Sequence, residues 1–398
     1  MSAPYSSSTM AERLIAAGEL EPDGPLTEAF RRVDRGAFVP AFALATHTDQ
    51  GVRYRLVDGG DPEQREEWAS HVYADETLII EVEGEPVAQA LAGGSGSGRW
   101  TSSSTMPGLM ARHLRELGLE ENPSVLEIGV GSGYNIAILC EVLGDERVAG
   151  VDISPKLVFD ASRDLASQGY FPKVSAYDGH QGYPDRAPYD RIISTTAFTH
   201  VPPAWIDQVV PGGMILVNIA GGTGGAVLRL KVDHGVAEGR FLRQWAGFLP
   251  ARSYRPSAQV SVDDTGEWRW TGLDPMRISE NPVEAFMAQL ATTDANTVMT
   301  QTEDGTSLLF LEGADGAWAE VETTPVDGRY RVDQGGPRRL WDLVERTHRW
   351  WESKGRPDWS SFGVTVGVKG QEVWFESPDA TERWELPVPE PVRCPEGS

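Results

Sequence analysis

Between residues 124 and 232, short apolar runs alternate with segments of helical period. The runs at 124–128, 147–152, 174–177, 190–195 and 214–219 predict strands, and 134–143, 155–169 and 203–210 predict helices. Pro155 and Pro203 fall at first-turn positions, where a missing N–H costs nothing. Alternation of this kind predicts a parallel sheet with helices on both faces. Upstream, Met106, Leu109, Met110, Leu114 and Leu117 mark one face of a further helix, closed by Gly118. Beyond about Val232 the pattern changes. Ten of the thirteen tryptophans lie from Trp245 to Trp384. Residues 363–368 and 371–376 flank Lys369-Gly370 as a hairpin would, and 307–312 and 317–323 flank a turn rich in Gly and Asp. Leu340, Trp341, Leu343, Val344, Thr347 and Trp351 trace one amphipathic helix. The pattern therefore divides the chain into an α/β domain over 1–231 and an α+β, β-rich domain over 232–398. The Gly/Ser run 93–98 reads as a flexible loop.

A length of 398 residues agrees with two or three domains, and 40% hydrophobic with 24% charged residues excludes wholesale disorder. No apolar run approaches the roughly 18 residues of a membrane span. The first twenty residues lack the apolar stretch of a signal peptide. Cys140 and Cys394 are too few for a disulfide framework or a Cys-rich zinc site, and Cys140 reads as core packing. A reducing cytoplasm is the expected location. The net charge of −24 repels phosphate backbones and anionic lipid. It argues against nucleic acid or membrane as partner and favours a neutral or basic peptide, although it serves solubility equally well.

The segment with the most chemistry is Val125-Leu126-Glu127-Ile128-Gly129-Val130-Gly131-Ser132-Gly133-Tyr134. A buried strand ends in a glycine-rich turn that opens a helix, so backbone N–H groups can approach a ligand without a Cβ in the way. The third glycine follows the second too closely for the dinucleotide fingerprint, and no Gly-Lys-Ser/Thr follows, which excludes a P-loop. Asp152 ends the next strand, where a carboxylate can take both ribose hydroxyls. Asp178-Gly179 follows the third strand, where adenine would lie. An acid at Glu127 without a phosphate-binding lysine suits a cationic nucleoside, S-adenosylmethionine. The expected cofactor contacts are Glu127, Gly129, Val130, Gly131, Ser132, Gly133, Asp152, Ile153, Asp178, Gly179 and, at the end of the fourth strand, Thr196.

These residues, together with Val33-Asp34-Arg35-Gly36-Ala37-Phe38-Val39-Pro40, Tyr73-Ala74-Asp75-Glu76-Thr77-Leu78, Thr101-Ser102-Ser103-Ser104-Thr105-Met106, Ala187-Pro188-Tyr189-Asp190, Val201-Pro202 and Pro211-Gly212-Gly213, resemble the protein-L-isoaspartate O-methyltransferase family in order and spacing over about 26–230. The resemblance implies a Rossmann-like, doubly wound methyltransferase fold. It also implies S-adenosyl-L-methionine as cofactor, S-adenosyl-L-homocysteine as product, and transfer of methyl to the carboxylate of an isoaspartyl residue in a peptide. The family's serine before the helix, which touches the substrate carboxylate, matches Ser102. Ser104-Thr105 stand where the family usually has Pro-His. The long tail resembles that of relatives that act on ribosomally made peptides beside lanthipeptide or graspetide enzymes, esterifying one aspartate so that it closes to an aspartimide. A modified precursor peptide is then the expected partner.

The chemistry needs little machinery. A carboxylate of pKa about 4 is already ionised at neutral pH, so no general base is required. The site must hold oxygen, methyl carbon and sulfur in line and exclude water. No metal is called for. Ser102, Ser103 and Thr105 are the expected catalytic hydroxyls, and Ser104, Met106, His200 and Val201 the expected substrate contacts. Thr105 could equally cap the Met106 helix, and His200 and His180 could simply be structural. The tail is expected to grip the peptide, with Arg338, Arg339, Trp350 and Trp351 as candidate anchors. Two rivals stand beside this reading: a general repair enzyme for damaged proteins, and a peptide-binding scaffold without catalysis.

Overall fold

The computed structural model describes residues 4–48, 51–252, 266–302 and 305–388; Cys394 lies outside them. The chain forms two compact units, Met1–Thr196 with Asp207–Leu216, and Ala197–Ile206 with Val217–Ser398. The expected boundary at 231 falls inside a strand, Gly225–Asp233, which pairs with Val236–Phe241. The division into compact units therefore comes earlier.

The first unit holds the expected parallel sheet. Arg191–Ser194 of the strand Tyr189–Phe198 pair with Val125–Ile128, followed by Val148–Asp152 and Lys173–Ala176. Every residue of the two central strands is buried, as covering on both faces demands. Helix Tyr134–Leu143 is buried almost all round, Cys140 included, and stops at Gly144 with φ +81°. Helix Pro155–Ser167 buries Leu157, Ala161 and Leu165 on one stripe, and its N-cap Ser154 accepts the Leu157 N–H. The expected helix 203–210 ends at Asp207. Val209 and Val210 with Pro211-Gly212-Gly213 disfavour helix, and a longer strand, Val209–Ala220, begins there.

A second sheet in this unit has no counterpart in the sequence reading. Glu85–Pro86, Leu78–Val82, Ala41–Thr48, Gly51–Asp58 and Ser95–Ser97 lie in that order, and Trp100–Ser104 also pairs with Leu78–Val82. Its core is Ala43, Tyr54, Val82, Val87 and Leu91. Part of the Gly/Ser run expected as a loop is thus an edge strand, 95–97 pairing with Arg53, Tyr54 and Arg55.

In the second unit, one antiparallel sheet runs Glu267–Thr271, Tyr330–Gly335, Trp318–Glu322, Ser307–Gly313 and Ala295–Gln301. Leu309, Leu311, Val321 and Val332 of this sheet pack with Leu340, Trp341 and Val344 of helix Leu340–Ser353. A second ladder joins Arg383–Glu385, Gly370–Phe375, Phe362–Gly367, Val236–Phe241 and Gly225–Asp233.

The anchors expected to hold a peptide are largely occupied within this unit. Trp351 is buried, and Trp350 packs on Phe362, Phe375 and Trp384 with ring centroids 6.1, 5.2 and 5.0 Å away. The Arg338 guanidinium lies between Asp294 and Asp315, with contacts of 2.6 and 2.7 Å. Among the tryptophans, only Trp68 and Trp100 belong to the first unit.

Candidate active site

The glycine turn leaves the sheet at Ile128. Gly129, Gly131 and Gly133 adopt φ of +97°, +52° and +84°. At Gly129 conformation and space coincide. A methyl group there would come 2.6 Å from Thr196 Cγ2 and 2.9 Å from Thr195 Oγ1. The N–H groups of Gly129 and Val130 both donate to the Val151 carbonyl, at 2.8 and 3.3 Å, which ties the turn to the next strand.

Asp152, 8% exposed, ends that strand. One carboxylate oxygen accepts the Gly131 N–H at 3.1 Å and the other the Ser154 N–H at 3.0 Å. The carboxylate is thereby fixed between the turn and the start of helix Pro155–Ser167. Ile153 beside it is 40% exposed, an apolar surface at the strand end. Asp178 shapes the next strand end: it accepts the His180 N–H at 3.0 Å, closing the turn Gly179–Gln181. Ser132 Oγ accepts the Tyr134 N–H. Val130 differs from the other expected contacts. Its side chain is buried against Gly150, where a methyl group would lie 2.7 Å from Val130 Cγ2, so it is part of the packing under the turn.

Glu127 sits beneath this turn and is 1% exposed. Burial pushes its carboxyl up to about 8, helped by the charge of Asp152 and opposed by the nearby Asn135 and Thr195 side chains. Its Oε2 is buried without a hydrogen-bond partner. An unsatisfied buried carboxylate oxygen calls for a donor or a cation.

Across from the turn runs the serine strand, Trp100–Ser104. The ideal Cβ position of Gly131 lies 3.6 Å from Ser102 Oγ and 3.6 Å from the Ser103 carbonyl oxygen. Strand side chains alternate, so Ser102 and Ser104 share one face and Ser103 takes the other. Only Ser102 therefore brings its hydroxyl toward Gly131. Ser104, expected as a substrate contact, is 4% exposed and hydrogen-bonded to Arg35 Nη2. Thr105 does not cap the following helix. Met106 is the N-cap residue, its N–H donates to Thr77 Oγ1, and Asp75 accepts the Gly108 N–H at 2.7 Å.

His200 and Val201 belong to the second unit. The Val201 N–H and carbonyl both bond the Gln371 side chain, at 2.9 and 2.6 Å, and the buried His200 ring contacts Thr199 Oγ1. Their described bonds are to this unit's own residues. Among the described residues, no group of three or more His, Cys, Asp or Glu is placed to hold a metal ion.

The first-unit residues fit S-adenosylmethionine. The orphaned Glu127 oxygen suits a ligand ammonium, the Gly129–Gly133 backbone leaves room for its amino-acid end, and the fixed Asp152 carboxylate retains lone pairs for a ribose diol. Sequence reasoning missed Arg35 as a site component. The available signal was an arginine set among apolar Val33, Phe38 and Val39.

Comparison with known proteins agrees. The family profile for protein-L-isoaspartate(D-aspartate) O-methyltransferase matches residues 65–238. A protein-L-isoaspartate O-methyltransferase of Hyperthermus butylicus is 37% identical over 31% of this chain and 54% of its own length. One of Thermotoga maritima is 34% identical over 38% and 44%. The chain thus spans about half the length of these two relatives. A protein-L-isoaspartate O-methyltransferase 1 of Nitrosospira multiformis is 40% identical over 52% of this chain and 70% of its own length. A solved protein-L-isoaspartate O-methyltransferase shares the Rossmann-like methyltransferase fold, with a TM-score of 0.51 and 20% identity, over 93% of this chain and 100% of that one. Coverage that broad includes residues beyond 231, so the tail does not lie wholly outside the structural likeness, as the sequence had suggested. With 40% identity maintained over 70% of a relative, the chain belongs to the protein-L-isoaspartate O-methyltransferase family.

Proposed function

We propose that this protein is an S-adenosylmethionine-dependent O-methyltransferase that esterifies the side-chain carboxylate of an isoaspartyl residue in a peptide or protein. The observation that carries the reading is the serine strand lying against the glycine turn, with Ser102 Oγ 3.6 Å from the Cβ position of Gly131. A group that can donate to a carboxylate is thereby set beside a turn suited to the cofactor.

When bound, the cofactor supplies an electrophilic sulfonium methyl. Asp152 would orient the ribose, the Gly129–Gly133 backbone would hold the amino-acid end, and Glu127 would face the ammonium. Ser102 donates to one oxygen of the acceptor carboxylate and leaves the other free to attack. That oxygen would take the methyl group, the carbon–sulfur bonding pair staying with sulfur. No proton moves, and the products are a methyl ester and S-adenosylhomocysteine.

A narrower reading keeps the same chemistry and makes the acceptor an aspartate of one ribosomally made, modified peptide. Ser104-Thr105 in place of Pro-His favours it. The structural likeness over 93% of the chain favours the repair reading instead, because a long tail is then not peculiar to peptide maturation. One assay separates them. The protein is given matched isoaspartyl and aspartyl peptides with labelled cofactor, and the product is weighed. Ester formation on the isoaspartyl peptide alone supports repair. Ester on a folded or modified aspartyl peptide, followed by loss of methanol, supports maturation. Ser102→Ala should lower turnover about 10- to 100-fold with cofactor affinity kept. A variant with the wild-type single-turnover rate would remove Ser102 from the chemistry.

A further inference from the structure

We propose that Arg35 is a positioning residue that couples the serine strand to the cofactor turn. Arg35 opens the short helix Arg35–Phe38, and its side chain is 0% exposed. Nη1 donates to the carbonyls of Val72 at 3.0 Å and Ala74 at 3.1 Å. Nη2 donates to the carbonyls of Glu76 at 2.8 Å, Ser104 at 3.1 Å and Thr105 at 3.2 Å, and to Ser104 Oγ at 3.3 Å. The guanidinium carbon stands 6.0 Å from the ring centroid of Tyr134. Tyr134 is the first residue of the helix that leaves the glycine turn, and its ring packs on Phe30 and Phe38.

Among the described residues, no carboxylate accepts a hydrogen bond from this cation. Burial pulls it down to about 10, against the opposing influence of Tyr134, Asp75 and Glu76, so it stays charged at neutral pH. Burying a charge without an ion pair is costly, and an apolar side chain could fill such a space at lower cost. What an apolar side chain could not do is donate hydrogen bonds to five carbonyls, those of Val72, Ala74 and Glu76 at and beyond a helix end and those of Ser104 and Thr105 at the end of the serine strand. The fork sets two nitrogens with four hydrogens at fixed, separated points, Nη2 sharing its two hydrogens among four acceptors; a lysine ammonium has three hydrogens on a single nitrogen and loses the second point of contact. The fork therefore fixes Ser104 and Thr105, and through two residues of strand Ser102, relative to the first residue of the glycine-turn helix. When the turn is ordered by cofactor, the order passes to the strand that holds the acceptor.

This inference rests on the reading of the glycine turn as the cofactor site, and the test separates the two. Amide hydrogen exchange is followed in the full-length protein with and without S-adenosylhomocysteine, in wild type, Arg35→Lys and Tyr134→Leu. In wild type, residues 129–133 and 101–106 should both gain protection on binding. In Arg35→Lys the turn should still be protected, while protection of 101–106 falls about tenfold or more, the scale of a typical site-to-site coupling. The same variant should lose kcat with its KM for S-adenosylmethionine within about threefold of wild type. Tyr134→Leu keeps the carbonyl bonds and removes the ring, and it should weaken the transfer of protection in the same direction. If Arg35→Lys does not fold, Tyr134→Leu decides. Full protection of 101–106 in the folded variants overturns the coupling. So does wild-type protection confined to 129–133. Absence of turn protection in wild type instead strikes the cofactor reading.

Discussion

The glycine turn and the serine strand meet at Gly131, yet they are built by opposite means. The turn is local. One strand, three glycines and one helix set its shape; Val151, Asp152 and Ser154 at the next strand end support it, and Thr195 adds one distant tie, donating to the Gly129 carbonyl at 2.5 Å. The serine strand is assembled from far along the chain. It pairs with Leu78–Val82, its end is gripped by Arg35, and the helix after it is capped by Asp75. Damage to the turn should therefore act on cofactor affinity, and damage to the strand's supports on transfer to the acceptor.

The sharpest way to break that contrast is Gly129→Ala. The new methyl group meets Thr196 at 2.6 Å in a backbone region that L-residues rarely adopt. Affinity for S-adenosylhomocysteine should fall about 100-fold or more by calorimetry. An affinity within threefold of wild type would show that the turn does not hold the cofactor. Asp152→Ala comes next. It removes two acceptor oxygens from the ribose and also frees the Gly131 and Ser154 N–H groups, with an expected loss of about 1–3 kcal/mol in cofactor binding.

The third effect is a pH dependence. Burial holds the Glu127 carboxyl up to about 8, above its unfolded value, so the folded protein binds an extra proton between about pH 4.5 and 8. Glu127 alone therefore makes stability fall as pH rises through that window. An ammonium ligand favours the ionised form, so binding should release a proton and tighten with pH up to about 8, by at most about tenfold per unit. Titrations in buffers of different ionisation enthalpy measure the proton count, and the slope must vanish in Glu127→Gln. The smallest effect is expected in the second unit. Arg338→Ala breaks a partly exposed ion-pair network with Asp294 and Asp315 and should cost about 1 kcal/mol of stability, with methyl transfer to a short isoaspartyl peptide unchanged. Loss of that transfer would return Arg338 to the list of peptide anchors.

Legibility in the sequence follows the same contrast. The parallel strands, the helix Tyr134–Leu143 and the hairpin around Lys369-Gly370 are each specified by nearby residues, and period and turn chemistry reveal them. The sheet containing Ala41–Thr48 and Ser95–Ser97 is not. The outer end of the first strand is exposed through its last four residues, and 95–97 carries no apolar side chain to announce a face. The individual roles of the four hydroxyl residues also stayed hidden. Alternation turns Ser103 away from Ser102, and only the distant Arg35 shows that Ser104 is engaged. The tail's candidate anchors show a related effect. Arginine and tryptophan on one helix suggest an interface, but Asp294, Asp315, Phe362 and Trp384 had already claimed them.

The uneven spread of tryptophan has an optical consequence. With only Trp68 and Trp100 in the first unit, eleven of the thirteen indoles of this protein lie in the second. An unfolding curve read by intrinsic fluorescence would be weighted toward that unit even if the first unit melted at another temperature. Trp100 is the exception of use. It opens the serine strand and is half-buried, and against so large a background its response to ligand would emerge only as a difference from a Trp100→Phe protein.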